Sequence, residues 1–269
     1  MESIKLNIMG KKIALVNEGG ITDEQWTAIA NKWSWLASSG SGKFTKLIMS
    51  VSEDNPAYPV NKDNEDQPRY LWSKDIETIE SHLSSTLTLM GIEHNKGKRI
   101  MLHACGISDE EGQVVAFVAK SGTGKTTLAR TLGAEIGYVT DETLVVDFEG
   151  NVTWYPKPLS VITDVGNPKM QVGPKELAFI KPPKKLKLKK ITLLDRDKES
   201  ADKSKALQIK DVPLADAIMA LTPELSHMKS VDKPLHRLAE LIERTGGVSE
   251  MKYVEASSVL HDIDKLFQV

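Results

Sequence analysis

The chain has 269 residues, of which 40% are hydrophobic and 27% charged, a composition typical of a globular protein. Its formal net charge of −2 argues against a dedicated nucleic-acid-binding protein. No apolar run approaches the roughly 20 residues that a membrane-spanning helix needs, and the single cysteine, Cys105, excludes an internal disulfide. We therefore expect a cytoplasmic protein that binds neither nucleic acid nor membrane.

The first 94 residues predict a small α+β domain. Strands are predicted at residues 4–9, 12–16 and 44–51. Thr22 or Asp23 is a typical N-cap for a helix that follows the second strand. The apolar residues of this helix recur at helical spacing, and we interpret them as core rather than as a binding face. They are Trp26, Ile29, Trp33 and Leu36.

A polar stretch and a long helix complete this region. Residues 52–69 are rich in Ser, Asp, Asn, Pro and Lys and predict a long loop. A helix is predicted over residues 73–90, and Gly91 follows it. Its apolar side is expected to consist of Ile76, Ile79, Leu83, Leu87 and Leu89. A strand at 99–104 then belongs to a second domain, which we expect to span residues 95–269.

Residues 114–126 read Val-Val-Ala-Phe-Val-Ala-Lys-Ser-Gly-Thr-Gly-Lys-Thr, an apolar strand that runs into a glycine-rich loop. The pattern of residues 126–132 is helical, so the loop lies at the positive end of a helix. Backbone N–H groups of such a loop wrap a phosphate chain, while Lys125 reaches the β- and γ-phosphates and Thr126 offers its hydroxyl to Mg²⁺. We therefore expect a nucleoside triphosphate to bind here. The predicted nucleotide contacts are Ser121, Gly122, Thr123, Gly124, Lys125, Thr126 and Thr127.

One position departs from the usual loop pattern. The pattern opens with a glycine five residues before the glycine of the Gly-Lys pair, and here that residue is Ala119. Alanine is strained there if the turn requires a positive φ.

An acidic pair, Asp141-Glu142, follows Lys125 after only 16 residues (141 − 125), at the end of a predicted strand over 138–140. One helix and one short strand fill that interval, so the chain returns directly to the loop. Beside a triphosphate, one carboxylate would hold Mg²⁺ and the other would accept a proton from an attacking hydroxyl. Upstream, His103 is either a core residue or, if its strand neighbours the loop strand, a group close to the γ-phosphate.

The rest of the second domain is less informative. A hairpin is predicted from residues 143–148 and 152–155. Alternating Lys and Leu over 185–189 predicts a strand with one wet face, whose lysines blunt an exposed sheet edge. Arg196 is either a surface residue or a clamp for transferred charge. Residues 211–269 predict amphipathic helices with one strand near 251–254.

Three segments together resemble the HPr serine kinase/phosphorylase family: Leu102-His103-Ala104, the loop Ser-Gly-Thr-Gly-Lys-Thr, and Val139-Thr140-Asp141-Glu142. The resemblance covers about residues 100–160. It implies an α/β fold with the P-loop core that this family shares with phosphoenolpyruvate carboxykinases, and it implies ATP and Mg²⁺ as cofactors. It also implies that His103 lies beside the reacting phosphate and that Asp141 serves the metal.

The same resemblance leaves the second acid and the acceptor open. Glu142 stands where the family has a second Asp and would help with metal binding or proton transfer, so either acid is a candidate base. The family's later Glu-x-Arg-Gly-x-Gly signature is absent from this sequence, so the resemblance does not name the acceptor.

We expect the protein to be an ATP- and Mg²⁺-dependent kinase that transfers the γ-phosphoryl group to a hydroxyl acceptor. The favoured acceptor is serine of a protein or peptide. Lys125, His103, Asp141 and Glu142 are the expected catalytic residues of this kinase, and Thr126, Asp141 and Glu142 its expected metal ligands. One alternative is a nucleotide-dependent switch protein with little or no transferase activity. Another is a kinase of a small metabolite. A homo-oligomer is compatible with the sequence.

Overall fold

The computed structural model describes residues 2–54, 56, 67–120, 122–161, 168–197, 199–200 and 207–267. The chain is a mixed α/β fold that divides into two compact units. The first unit contains residues 1–94 and 156–177, and the second contains 95–155 and 178–269. Residues 156–177 thus belong to the first unit, whereas the predicted second domain, 95–269, included them.

The elements are numbered in chain order within each class. The strands are β1 (Ile4–Ile8), β2 (Lys11–Gly19), β3 (Thr45–Val51), β4 (Arg69–Ser73), β5 (Ile100–Ser108), β6 (Gln113–Val118), β7 (Gly137–Thr140), β8 (Thr143–Val146), β9 (Val152–Thr153), β10 (Leu159–Val161), β11 (Met170–Val172), β12 (Lys187–Arg196), β13 (Gln208–Val212) and β14 (Val248–Tyr253). The helices are α1 (Asp23–Lys32), α2 (Ile76–Asn95), α3 (Lys125–Gly133), α4 (Leu214–Leu221), α5 (Pro234–Arg244), α6 (Ala256–His261) and α7 (Asp264–Phe267). Within the described part of the chain, no helix has the length and apolar character needed to cross a bilayer.

The first unit contains a four-stranded sheet in the order β1-β2-β3-β4, with β1 antiparallel to β2 and the other pairs parallel. Thr22 caps α1 in a capping box: its Oγ1 accepts from the Gln25 N–H at 3.2 Å, and Gln25 Oε1 accepts from the Thr22 N–H at 3.0 Å. All four residues of the predicted apolar stripe are core, since they are at most 6% exposed. Helix α1 itself ends at Lys32, however, so Trp33 is its C-cap and Leu36 lies in the 3-10 turn that follows.

Helix α2 differs from its predicted form at both ends. It begins at Ile76 and continues through Gly91 to Asn95. Gly91 allows α2 to pack closely against Met9, because a Cβ at this position would lie 2.8 Å from Met9 Sδ. Leu89 is 55% exposed and is not part of the apolar side, because residues two apart, such as Leu87 and Leu89, point to different sides of a helix.

The second unit is built on an eight-stranded mixed sheet in the order β13-β14-β12-β6-β5-β8-β9, with β7 also paired to β5. Strands β14, β12 and β6 are parallel, and the remaining pairs are antiparallel. Helices α4 and α5 contribute to one core with alternate residues of β5 and β6, including Leu102, Ala104 and Val118. The other side chains of β5, those of His103 and Cys105 among them, therefore point to the opposite face, and α3 packs against this strand.

The lysine-rich strand is not at an edge of the sheet. β12 lies between β6 and β14, so the prediction of an exposed edge was wrong. Lys190 is 8% exposed, and burial lowers its pKa. Alternation of Lys and Leu describes only the start of this strand, where Lys187 is exposed and Leu188 buried. The predicted hairpin of β8 and β9 is present, whereas the edge strand β13 was not predicted.

Candidate functional site

The glycine loop, residues 119–124, joins the end of β6 to the start of α3. Gly122 and Gly124 have φ values of +80° and +108°, and Gly124 is the N-cap of α3. Ala119 is not among the residues with positive φ, so alanine is accommodated at the position where the usual pattern has glycine. Ser121, one of the predicted nucleotide contacts, lies outside the described residues.

Lys125 folds back over this loop. Its Nζ donates to the carbonyl oxygens of Ala119 and, at 3.2 Å, of Lys120. The same Lys120 oxygen accepts from Thr123 Oγ1 at 2.9 Å. Burial lowers the pKa of Lys125, and the charge of Glu224 opposes this shift most strongly. The first turn of α3 continues with Thr126, which is half-buried, and Thr127, which is exposed.

Strand β5 brings the acidic pair next to this loop. On one side β5 pairs with β6, where Ala104 lies opposite Val118. On its other side β5 pairs with β7 and β8, and the segment Asp141-Glu142 connects these two strands. Only β5 therefore separates the acidic pair from the end of β6. Two strand spacings place the backbones of these two segments about 10 Å apart. The Glu142 carbonyl also accepts from the Ala104 N–H at 3.1 Å, which ties the connection to β5.

Asp141 is held in a defined orientation. It is 5% exposed, and its Oδ1 accepts from the Tyr138 hydroxyl at 3.3 Å. Burial, with a further contribution from the Asp141 charge, raises the pKa of Tyr138 well above 10.0. The phenol therefore remains protonated and donates to the carboxylate.

His103 also has one ring nitrogen fixed. Its Nδ1 lies 3.1 Å from the carbonyl oxygen of Glu142. Because a carbonyl oxygen only accepts, Nδ1 carries the hydrogen, and Nε2 of the neutral ring is an acceptor. The structure thus places the predicted residues Lys125, Asp141, Glu142 and His103 around the middle of β5, where β6 ends on one side and β7 gives way to β8 on the other.

Glu224 is a further member of this group that no sequence pattern predicted. It ends a short 3-10 turn, Thr222–Glu224, after which Leu225 forms an antiparallel bridge with Leu102 and Ser226 N–H donates to Met101 O at 3.0 Å. This pairing with β5 brings Glu224 close enough for its charge to act on Lys125. No local motif marks this residue, because it reaches the site only through pairing between distant segments.

The donor set fits Mg²⁺ bound together with phosphates. Among the described residues, no group of three or more His, Cys, Asp or Glu side chains forms a metal site by itself. Mg²⁺ usually keeps several waters and takes one or two carboxylates plus phosphate oxygens. The Thr126 hydroxyl and the carboxylates of Asp141 and Glu142 are hard oxygen donors of the kind that this ion prefers.

Comparison with known proteins adds little to this geometry. No family model matches the sequence, and no curated protein matches it. Among solved structures, the HPr(Ser) kinase/phosphatase from Coxiella burnetii is similar over 61% of this chain and 91% of its own, at 10% sequence identity and a TM-score of 0.29. A TM-score this low carries no argument about the activity of this chain.

Proposed function

We propose that this chain binds ATP with Mg²⁺ and transfers the γ-phosphoryl group to a hydroxyl acceptor. The observation that carries the proposal is the proximity of two features across β5: a glycine loop at the N-terminus of α3 and the carboxylates of Asp141 and Glu142. Phosphoryl transfer requires little more than positioning and charge neutralisation, and these features supply both.

The nucleotide would take the place of the internal contacts of Lys125. Loop N–H groups and the helix N-terminus attract phosphate, and the amine that now donates to Ala119 and Lys120 carbonyls would donate to phosphate oxygens instead. Thr126 and Asp141 would hold Mg²⁺, which neutralises developing charge when bound.

Glu142 is the better candidate for the base. Asp141 is buried and already accepts from Tyr138, which suits a fixed metal ligand, whereas Glu142 is partly exposed and has a longer side chain. In the proposed step the acceptor oxygen bonds to the γ-phosphorus, the bond to the β-phosphate oxygen breaks, and the acceptor proton passes to Glu142. Nε2 of His103 would accept a hydrogen bond within this site.

A transfer assay with γ-labelled ATP, Mg²⁺ and a host lysate as the acceptor source tests this proposal. The wild type and Glu149→Gln, which removes an exposed acid from the turn between β8 and β9, should label an acceptor. Glu142→Gln should lose labelling while it still binds ATP. Lys125→Ala should lose turnover, and wild-type turnover in that variant would refute the assignment.

The nature of the labelled product decides between the remaining alternatives. A labelled protein or peptide supports serine or another side-chain hydroxyl as acceptor, and a labelled small molecule supports a metabolite kinase. Tight ATP binding with no labelled product of either kind would contradict the transferase and favour a nucleotide-dependent switch.

A further inference from the structure

Arg196 is the last residue of β12 and extends beyond the end of the neighbouring strand β6. Leu193 pairs with Val118, the final residue of β6, so β12 continues for three more residues (196 − 193). At about 3.3 Å per residue, Arg196 lies about 10 Å further along, beside the glycine loop. Tyr253, at the end of β14, is its partner in register.

Both residues lie next to Gly124 of the loop. A Cβ on this glycine would lie 3.5 Å from Arg196 Nη1 and 3.3 Å from the Tyr253 hydroxyl. The Tyr253 hydroxyl donates to the Thr123 carbonyl at 3.3 Å. The ends of two parallel strands thus bring a cation and a hydrogen-bond donor against the loop that would hold the phosphates.

The guanidinium of Arg196 is oriented by two anchors. Nε donates to the Val254 carbonyl at 3.1 Å, and Nη2 forms an ion pair with Glu255 Oε2, also at 3.1 Å. The Arg196 side chain is only 25% exposed, unlike a freely solvated surface arginine. With Nε and Nη2 in these contacts, Nη1 is the guanidinium nitrogen nearest to Gly124.

We propose that Arg196 is a phosphate-binding residue of the nucleotide site and that Glu255 competes with phosphate for its guanidinium. This inference rests on the proposed function. Guanidinium groups bind phosphate and carboxylate through the same paired N–H donors. A triphosphate carries more negative charge than one carboxylate, so it draws the guanidinium from Glu255, and the Glu255 carboxylate weakens nucleotide binding.

Calorimetric titration with Mg²⁺·ATP tests this pairing. Arg196→Ala should raise the Kd for ATP at least tenfold, and Arg196→Lys less, because lysine keeps the charge but not the paired donors. Glu255→Gln should lower the Kd several-fold in the wild-type background and leave it unchanged in the Arg196→Ala background. Lys252→Ala, which removes a partly exposed cation from the same strand end as Tyr253, is the matched control and should bind as wild type.

Each outcome bears on one of the two proposals. Wild-type affinity in Arg196→Ala, or an effect of Glu255→Gln that persists without Arg196, overturns this inference while the kinase proposal stands. If Arg196→Ala does not fold by circular dichroism, Arg196→Gln, which retains a donor for the Val254 carbonyl, is used with the same expected loss. A folded wild type that binds neither ATP nor tripolyphosphate overturns the proposed function and this inference with it.

Discussion

Replacing Gly124 by alanine should disrupt the glycine loop far more than the same change at Gly122. Both glycines have positive φ, +108° and +80°, so both substitutions carry the cost of an L-residue in this region, about 1–2 kcal/mol. The two sites differ in space. A Cβ on Gly122 meets no described atom within 4 Å, whereas one on Gly124 would lie 3.3 Å from the Tyr253 hydroxyl.

The additional cost at Gly124 follows from what surrounds it. Tyr253 is 2% exposed and therefore has little room to move away. Arg196, the second neighbour, is held by Val254 and Glu255. Forcing packed groups apart costs about 1–3 kcal/mol, which at roughly 2–4 °C per kcal/mol corresponds to a Tm lower by about 2–12 °C for Gly124→Ala than for Gly122→Ala.

Differential scanning calorimetry gives the two Tm values, and titration with Mg²⁺·ATP gives the affinities. ATP affinity should fall at least tenfold in Gly124→Ala, because the added methyl group displaces Arg196 and the loop. Equal Tm values for the two variants, together with wild-type ATP affinity in Gly124→Ala, would refute the reasoning about this contact.

Three further predictions concern other parts of the molecule. Asp141→Asn should raise the Mg²⁺ concentration needed for half-maximal transfer at least tenfold, and an unchanged requirement would remove Asp141 from the metal site. Burial and, secondarily, the charge of Asp141 raise the pKa of Cys105 above its ordinary 9.0. The thiol ionises at lower pH in the unfolded chain than in the folded protein, so its contribution to the free energy of unfolding is complete below pH 9 and is lost as the pH rises further. In urea titrations, the free energy of unfolding of Cys105→Ala should therefore fall less steeply above pH 9 than that of the wild type. Thr22→Ala should cost about 1 kcal/mol of unfolding free energy through the lost cap of α1, and an unchanged urea midpoint would contradict that role.

Local patterns predicted many elements of the fold. The strand, loop and helix over 113–133 follow from an apolar run, two glycines and helical periodicity within about 20 residues. The capped helix α1 and the β8–β9 hairpin have equally local signals. The helix end at Gly91 and the apolar role of Leu89 were wrong, because packing against Met9 and burial of one face override single-residue tendencies.

Pairing between distant segments could not be predicted from the sequence, for a different reason. Alternating lysines predicted an edge for β12, yet β6 and β14 lie on its two sides. Parallel neighbours are joined through long crossover connections, so nothing within a strand identifies its partners.

The candidate site contains both kinds of feature, those predicted from local sequence and those that depend on contacts between distant segments. The sequence alone determined the glycine loop, Lys125 and the acidic pair, because their order and spacing depend on one strand, one helix and the strand that returns. Only the tertiary structure decided that β5 lies between the loop and the acidic pair, that Glu224 comes close to Lys125, and that Arg196 reaches Gly124. These contacts depend on the register of strands far apart in the chain, and register is selected by burial of the whole sheet rather than by any local run of residues.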